Sequence, residues 1–118
     1  NVNISRSESF VDNKYFSSKK LKYTTLSPTK TERDDWKIDL KLGDSEIELF
    51  IMKDHPERLS PEAYGLRHLA FRVESVDDTV SELEAMGIAC EPIRHDTYTG
   101  EKMTFFRDPD GLPLEIHE

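Results

Sequence analysis

The sequence predicts an α+β fold made of two related modules, and three observations predict it. Two tight turns, Gly43-Asp44 and Asp108-Pro109-Asp110-Gly111, each lead into a strand that alternates apolar and polar residues. Those strands match, Ile47-Glu48-Leu49-Phe50 against Leu114-Glu115-Ile116-His117, at an offset of 67 residues from Glu48 to Glu115, which points to an internal duplication. Ahead of the second of these strands, the stretch from Ser75 to Gly87 carries the signals of a helix.

In chain order, Phe10, Val11, Lys14, Tyr15 and Phe16 keep helical spacing, with Ser5 or Ser7 as N-cap, so an amphipathic helix is expected near the start. The Thr- and Tyr-rich stretch from Leu21 to Leu26 predicts a strand, and the polar run from Pro28 to Asp35 an exposed connection. Trp36, Ile38, Leu40 and Leu42 then alternate with Lys37, Asp39 and Lys41, giving a strand that turns at Gly43-Asp44 into the next. There Ile47, Leu49 and Ile51 form the apolar face, and Glu46, Glu48 and Phe50 point the other way.

The stretch from Asp54 to Tyr64, with Pro56, Ser60 and Pro61, has no period and reads as a linker. In the strand expected from Leu66 to Val73, Leu69, Phe71 and Val73 suit a core, while His68, Ala70 and Arg72 take the opposite face. A helix is expected from Val76 to Met86, capped by Ser75, with Asp77 and Asp78 at its positive end, Gly87 after it, and Val76, Val80 and Leu83 as its inner stripe. A strand from Ile88 to Ile93, a loop from His95 to Gly100 and a strand from Lys102 to Arg107 lead to the closing hairpin. Its last strand turns Leu112, Leu114 and Ile116 inward and Pro113, Glu115 and His117 outward.

The second half is therefore β-α-β-β-β, and the first reads α-β-β-β without a convincing leading strand. One domain is expected over residues 1–118, with module one at about 1–53, a linker at about 54–64 and module two at about 65–118.

Composition bounds the function. At 36% hydrophobic and 34% charged residues the chain fits a soluble globular protein, and no apolar run approaches the ~20 residues of a membrane span. A net charge of −8 argues against nucleic acid or an anionic membrane surface as partner, and Lys19-Lys20-Leu21-Lys22 is too short to reverse that. Cys90 is the single cysteine, so no internal disulfide forms, and a half-buried structural thiol is expected. The polar, Ser-rich opening is no signal peptide, so a cytoplasmic location is expected.

Glu48, His68 and Glu115 all fall on the polar faces of their strands, and a histidine with two carboxylates is metal-ligand chemistry. The 67-residue offset carries His68 back to position 1, where the sequence has Asn rather than a fourth ligand. Each of the three also has a plain reading, Glu48 as a solvated carboxylate on an outer sheet face and His68 as a hydrogen-bonded sheet histidine. His117 shares the face of Glu115 and either supports the ligands or faces solvent. His55 and His95 are taken as surface residues. Arg67, Arg72, Tyr98 and Lys102 could meet an anionic substrate but are read as solvated.

At Gly65-Leu66-Arg67-His68-Leu69-Ala70-Phe71, at Met103 through Glu115, and at Asp39-Leu40-Lys41-Leu42-Gly43 through Glu48-Leu49-Phe50, the chain resembles the vicinal-oxygen-chelate superfamily, which includes glyoxalase I, bleomycin resistance proteins and extradiol dioxygenases. The resemblance runs over roughly residues 36–118 and is closest to small bacterial glyoxalase I-like proteins. It implies two βαβββ modules forming a cleft around a divalent metal, with Glu48, His68 and Glu115 as ligands. The family's remaining ligand, a histidine on the opening strand, has no match here. Either that strand precedes the chain as given, or residues from Asn3 to Val11 take its place with the ligand lost. The first is expected, because a sheet without its leading strand exposes a long unpaired edge.

The resemblance further implies a lactoylglutathione lyase-like metalloenzyme that isomerises the hemithioacetal of a 2-oxoaldehyde and a thiol. The metal would stabilise an enediolate, and Glu115 would be the catalytic base. Mixed nitrogen and oxygen ligation suits Ni, Co, Zn, Fe or Mn. A homodimer acting on a small molecule, possibly a thiol adduct, is expected. Another metalloenzyme of the superfamily (a dioxygenase, epimerase or thiol transferase), or a metal-free binding protein of the bleomycin-resistance kind, is the alternative.

Overall fold

A computed structural model describes residues 2–4, 24–25, 29–52 and 56–118 of the chain. It divides into two compact units, Asn1–Glu57 and Arg58–Glu118. Among the described residues of the first unit, a sheet runs in the order β1 (Val2–Ile4), β5 (Ser45–Ile51), β4 (Trp36–Leu42), β2 (Thr24–Thr25), with β3 (Thr29–Lys30) also on β4. The helix expected around Phe10 to Phe16 lies outside the described residues.

The hairpin of β4 and β5 follows the sequence closely. Gly43 takes the left-handed conformation its turn needs, with φ at 58°. The register sets Ile38 opposite Leu49 and Leu40 opposite Ile47, and Ile38, Leu40 and Leu49 are buried. The other face pairs Asp39 with Glu48 and Lys41 with Glu46.

Two expectations for this unit are corrected. A leading strand is present, because β1 lies parallel to β5 with Val2 opposite Leu49. At three residues it is too short for period-two alternation to reveal it. The connection from Pro28 to Asp35 also contributes a strand, since Thr29 and Lys30 pair with Lys37 and Trp36 of β4.

The second unit is β-α-β-β-β, in the sheet order β6 (Leu69–Arg72), β9 (Pro113–His117), β8 (Lys102–Arg107), β7 (Arg94–His95). β6 runs parallel to β9, as β1 does to β5, and β9 pairs antiparallel with β8, as β5 does with β4. That shared topology is the duplication. Phe71 faces Ile116 as Val2 faces Leu49, so the leading strands are offset by two residues more than the closing ones, and the position matching His68 falls ahead of Asn1. A shift of two keeps every side chain on its face.

One sheet face carries Phe71, Phe106, Leu114 and Ile116, all buried. α1 (Val76–Ala85) packs beside β8 with Val76, Thr79 and Leu83 buried. Ser75 caps it as expected, its hydroxyl accepting from the Asp78 backbone N–H at 3.2 Å. The inner stripe contains Thr79 where Val80 was expected. Its hydroxyl donates to the Ser75 carbonyl at 2.7 Å, so the residue enters the core with its polar atom satisfied.

The strand expected from Ile88 to Ile93 reduces to a single bridge between Cys90 and Phe106, and pairing resumes only at β7, which takes in His95. Pro92 lacks the N–H that a continuous ladder would need. The strand expected from Leu66 starts at Leu69. The carbonyls of Leu66 and Arg67 accept instead from Arg58 Nη2, at 3.2 and 2.9 Å.

Asp108 closes the last hairpin. Its Oδ1 accepts the backbone N–H groups of Asp110 at 2.9 Å and Leu112 at 2.7 Å, while Gly111 holds φ at 84°. The carboxyl is buried, and desolvation, helped by the neighbouring Asp110, pushes its pKa up to about 6 against the opposing hydrogen bonds. Raised from 3.8, the folded carboxyl keeps its proton to higher pH than the unfolded one. This group therefore lowers stability progressively as pH climbs from about 4 to 6, by about 3 kcal/mol in all. Asp108→Asn retains the accepting oxygen without the buried charge. Urea unfolding of the variant at pH 7.5 is expected to match or exceed wild type, and a loss above about 1 kcal/mol would contradict this account.

Candidate active site

The sheet face opposite the buried one builds the site. Cross-strand register places Glu115 of β9 between Ala70 of β6 and Phe105 of β8, and sets Pro113 beside Arg107 and Met103 beside Arg94. His68 sits just before β6 on the same face. Its Nε2 lies 3.1 Å from Glu115 Oε2, with the imidazole side chain 37% exposed and the carboxylate side chain 16%.

Phe105 steers the imidazole, meeting it edge-to-face at 5.3 Å between ring centroids and 87° between planes. The Arg94 guanidinium carbon lies over the same ring, 5.2 Å from its centroid. These groups line a cleft of about 500 Å³ within the second unit, into which Arg58, Arg67 and Arg107 also project. That volume is in the range of small-molecule sites.

The donor set of this pair fits a divalent metal. Two ligands about 2.1 Å from one ion and at right angles to each other are about 3.0 Å apart, close to the separation of Nε2 and Oε2. One imidazole nitrogen and one carboxylate oxygen suit Ni, Co, Zn, Fe or Mn.

Glu48 stands at the middle of β5, in the first unit. Lys37 reaches across from β4 to form an ion pair with its carboxylate and another, at 3.0 Å, with Asp39. Glu48 first, then Asp39, holds the Lys37 ammonium pKa well above its ordinary value. Among the described residues, Asp39, Glu46 and Glu48 are a group of three that brings one carboxylate oxygen each within 4.8 Å. Glu48 thus has a cation beside it already, and a metal would compete with that ammonium.

The remaining polar candidates divide. His117 Nδ1 is 3.1 Å from the Glu118 carbonyl, and His95 is exposed on β7. His55 lies outside the described residues. Arg67 lines the cleft and bonds Glu62 at 2.8 Å, whereas Lys102 pairs with Asp77, and Tyr98 is exposed. Arg72 borders a separate hollow with Glu74, Glu101 and Glu118. Cys90 is partly buried, and desolvation pushes its thiol up to about 11, which makes it a poor nucleophile.

Sequence reasoning passed over Phe105, Arg94, Arg107 and Arg58. Parity across the closing hairpin could have found Phe105 and Arg107, since it sets both on the face of Glu115. Nothing local marks Arg94 or Arg58.

A family model described as the Glyoxalase/Bleomycin resistance protein/Dioxygenase superfamily matches residues 13–116. The chain is 57% identical over 88 residues to the uncharacterized protein YaeR of Escherichia coli (strain K12), covering 73% of this chain and 68% of YaeR. It is 52% identical over 108 residues to the uncharacterized protein YwkD of Bacillus subtilis (strain 168), covering 89% and 84%. The crystal structure of a glyoxalase family protein from Enterococcus faecalis superposes with a TM-score of 0.83 at 49% identity, over 98% of this chain and 91% of that one.

Proposed function

Because this chain belongs to the glyoxalase/bleomycin resistance protein/dioxygenase superfamily, we propose that it is a metal-dependent enzyme of glyoxalase I type, isomerising the hemithioacetal of a 2-oxoaldehyde and a thiol to a 2-hydroxyacyl thioester. The observation that supports this most directly is the 3.1 Å approach of His68 Nε2 to Glu115 Oε2 at the cleft. In this reading His68, Glu115 and Glu48 are metal ligands, Glu48 on the strength of its place in β5 matching that of Glu115 in β9.

A bound divalent metal would supply Lewis-acid polarisation of the substrate carbonyl and hydroxyl oxygens. The chain's own residues do the rest. Glu115 takes the proton from the carbon bearing hydroxyl and sulfur and returns it to the adjacent carbonyl carbon, while the hydroxyl proton passes to the former carbonyl oxygen, so the substrate isomerises without gain or loss of atoms. Phe105 holds His68 in orientation and excludes water from one side of the imidazole. Among the described residues no helix is long and apolar enough to cross a membrane, and the lone, weakly acidic Cys90 is compatible with the cytoplasmic location this reading assumes. We take the active species to be a homodimer, which sedimentation would test.

Elemental analysis of the purified protein is the first experiment. About one equivalent of transition metal per chain, lost in His68→Ala and in Glu48→Gln, is the expected result, followed by turnover of methylglyoxal hemithioacetals made with several thiols. A second reading, a metal-free binding protein of the bleomycin-resistance kind, draws on the ion pair between Lys37 and Glu48. Metal-free protein that binds a bulky aromatic compound would establish it and end the enzymatic proposal.

A further inference from the structure

In a chain of net charge −8, four of the seven arginines line one cleft. Three carboxylates, Glu62, Glu91 and Asp110, line it with them. Two of the arginines are committed to the protein. Arg58 donates to the backbone carbonyls of Leu66 and Arg67, just ahead of His68, and Arg67 holds Glu62.

The other two keep donors for a ligand. Arg94 gives its Nε–H to the weakly accepting Met103 sulfur at 3.2 Å, and its Nη1 reaches Glu91 only at 3.5 Å. Arg107 spends one Nη1 donor on the Gly111 carbonyl at 3.0 Å. A guanidinium carries five N–H donors, so most of each planar fork is available to an oxyanion. The Arg94 guanidinium lies over the Phe105 ring, 5.2 Å from its centroid, and Phe105 meets His68 edge-to-face. Arg107, two residues along β8 from Phe105, shares its face.

We propose that this cleft recognises a substrate with an oxyanion end, a carboxylate or a phosphate, gripped by Arg94 and Arg107 while its reacting end lies across Phe105 at His68 and Glu115. The position of the reacting end rests on the metal-enzyme reading above. Oxyanion capture does not, because the arginines bind the anion whether or not the chemistry is of glyoxalase type. The substrate is then a small charged metabolite, and Arg94 is its principal specificity residue.

The test is a titration of the ¹⁵N-labelled full chain, its metal content recorded, following arginine Nε–Hε resonances. Inorganic phosphate and, separately, malonate are added at ionic strength held constant with chloride. The Arg94 and Arg107 resonances are expected to shift and saturate, while those of Arg33 and Arg72, outside the cleft, follow only the bulk salt. Tighter phosphate than malonate identifies a phosphate end, and the reverse order a carboxylate end. Arg94→Gln is expected to weaken binding about tenfold, and Arg94→Lys not to restore it, because an ammonium has neither fork nor stacking plane.

Equal, unsaturated shifts at all four arginines would overturn the proposal, as would unchanged binding in both Arg94→Gln and Arg107→Gln. The wild-type titration stands even where a variant folds poorly. Saturable binding by protein that purifies without metal would uphold this inference while the metal-enzyme reading fails, and metal-loaded protein indifferent to both anions would overturn only this inference.

Discussion

On the proposed mechanism, Glu115→Gln is expected to lower hemithioacetal turnover about 10²- to 10⁴-fold, the range for removing a positioned general base. The substitution is nearly isosteric, and its amide keeps an oxygen facing His68, so the fold should survive. What disappears is the negative charge and the proton acceptor. Because the missing proton transfer belongs to the transition state, the loss should fall on kcat, with KM for the hemithioacetal little changed. Metal content should also drop, since a carboxamide is the poorer ligand for a hard cation. Wild-type turnover in folded Glu115→Gln protein would remove Glu115 from the mechanism.

Phe106→Ala is expected to cost about 3–5 kcal/mol, the usual toll of emptying an aromatic-sized hole in a packed core. Phe106 is 1% exposed, opposes the fully buried Leu114 and bridges to Cys90. Measured against a typical stability of about 5–15 kcal/mol, such a loss should lower the thermal midpoint by more than about 10 °C. The neighbouring Phe105→Ala should behave oppositely, with a small change in midpoint and a large change in ligand affinity. Phe105 is only partly buried and stands on the cleft face under Arg94 and His68. Similar unfolding costs for the two variants, by urea or heat, would contradict the assignment of faces.

That contrast between adjacent phenylalanines follows from strand parity, a local property of the backbone, although the reading of the sequence did not extend it to them. The same rule set His68 and Glu115 on one face of the second module and Glu48 on the polar face of the first. Turn and cap residues act over three or four positions, so Gly43, Ser75 and the run from Asp108 to Gly111 each announced its element.

Where tertiary context prevailed, the reason can be named. Thr79 took the place expected of Val80 because a hydrogen bond to Ser75 allowed its burial, which no hydropathy pattern encodes. β1 emerged from three residues because β5 offered it a parallel edge. Pro92 broke a strand that apolar content favoured.

The amino-acid order by itself determined the two-module plan and the face on which each strand residue lies, and it singled out an imidazole and two carboxylates as candidate ligands. These follow from periodicities and dihedral preferences that extend over a few residues. Only the tertiary structure decided that Arg94, Phe105 and His68 meet in one cluster beside Glu115, and that Lys37 engages Glu48. Such contacts join residues distant in the chain or on facing strands, and pairing register, a collective outcome of burial and hydrogen bonding, brings them together.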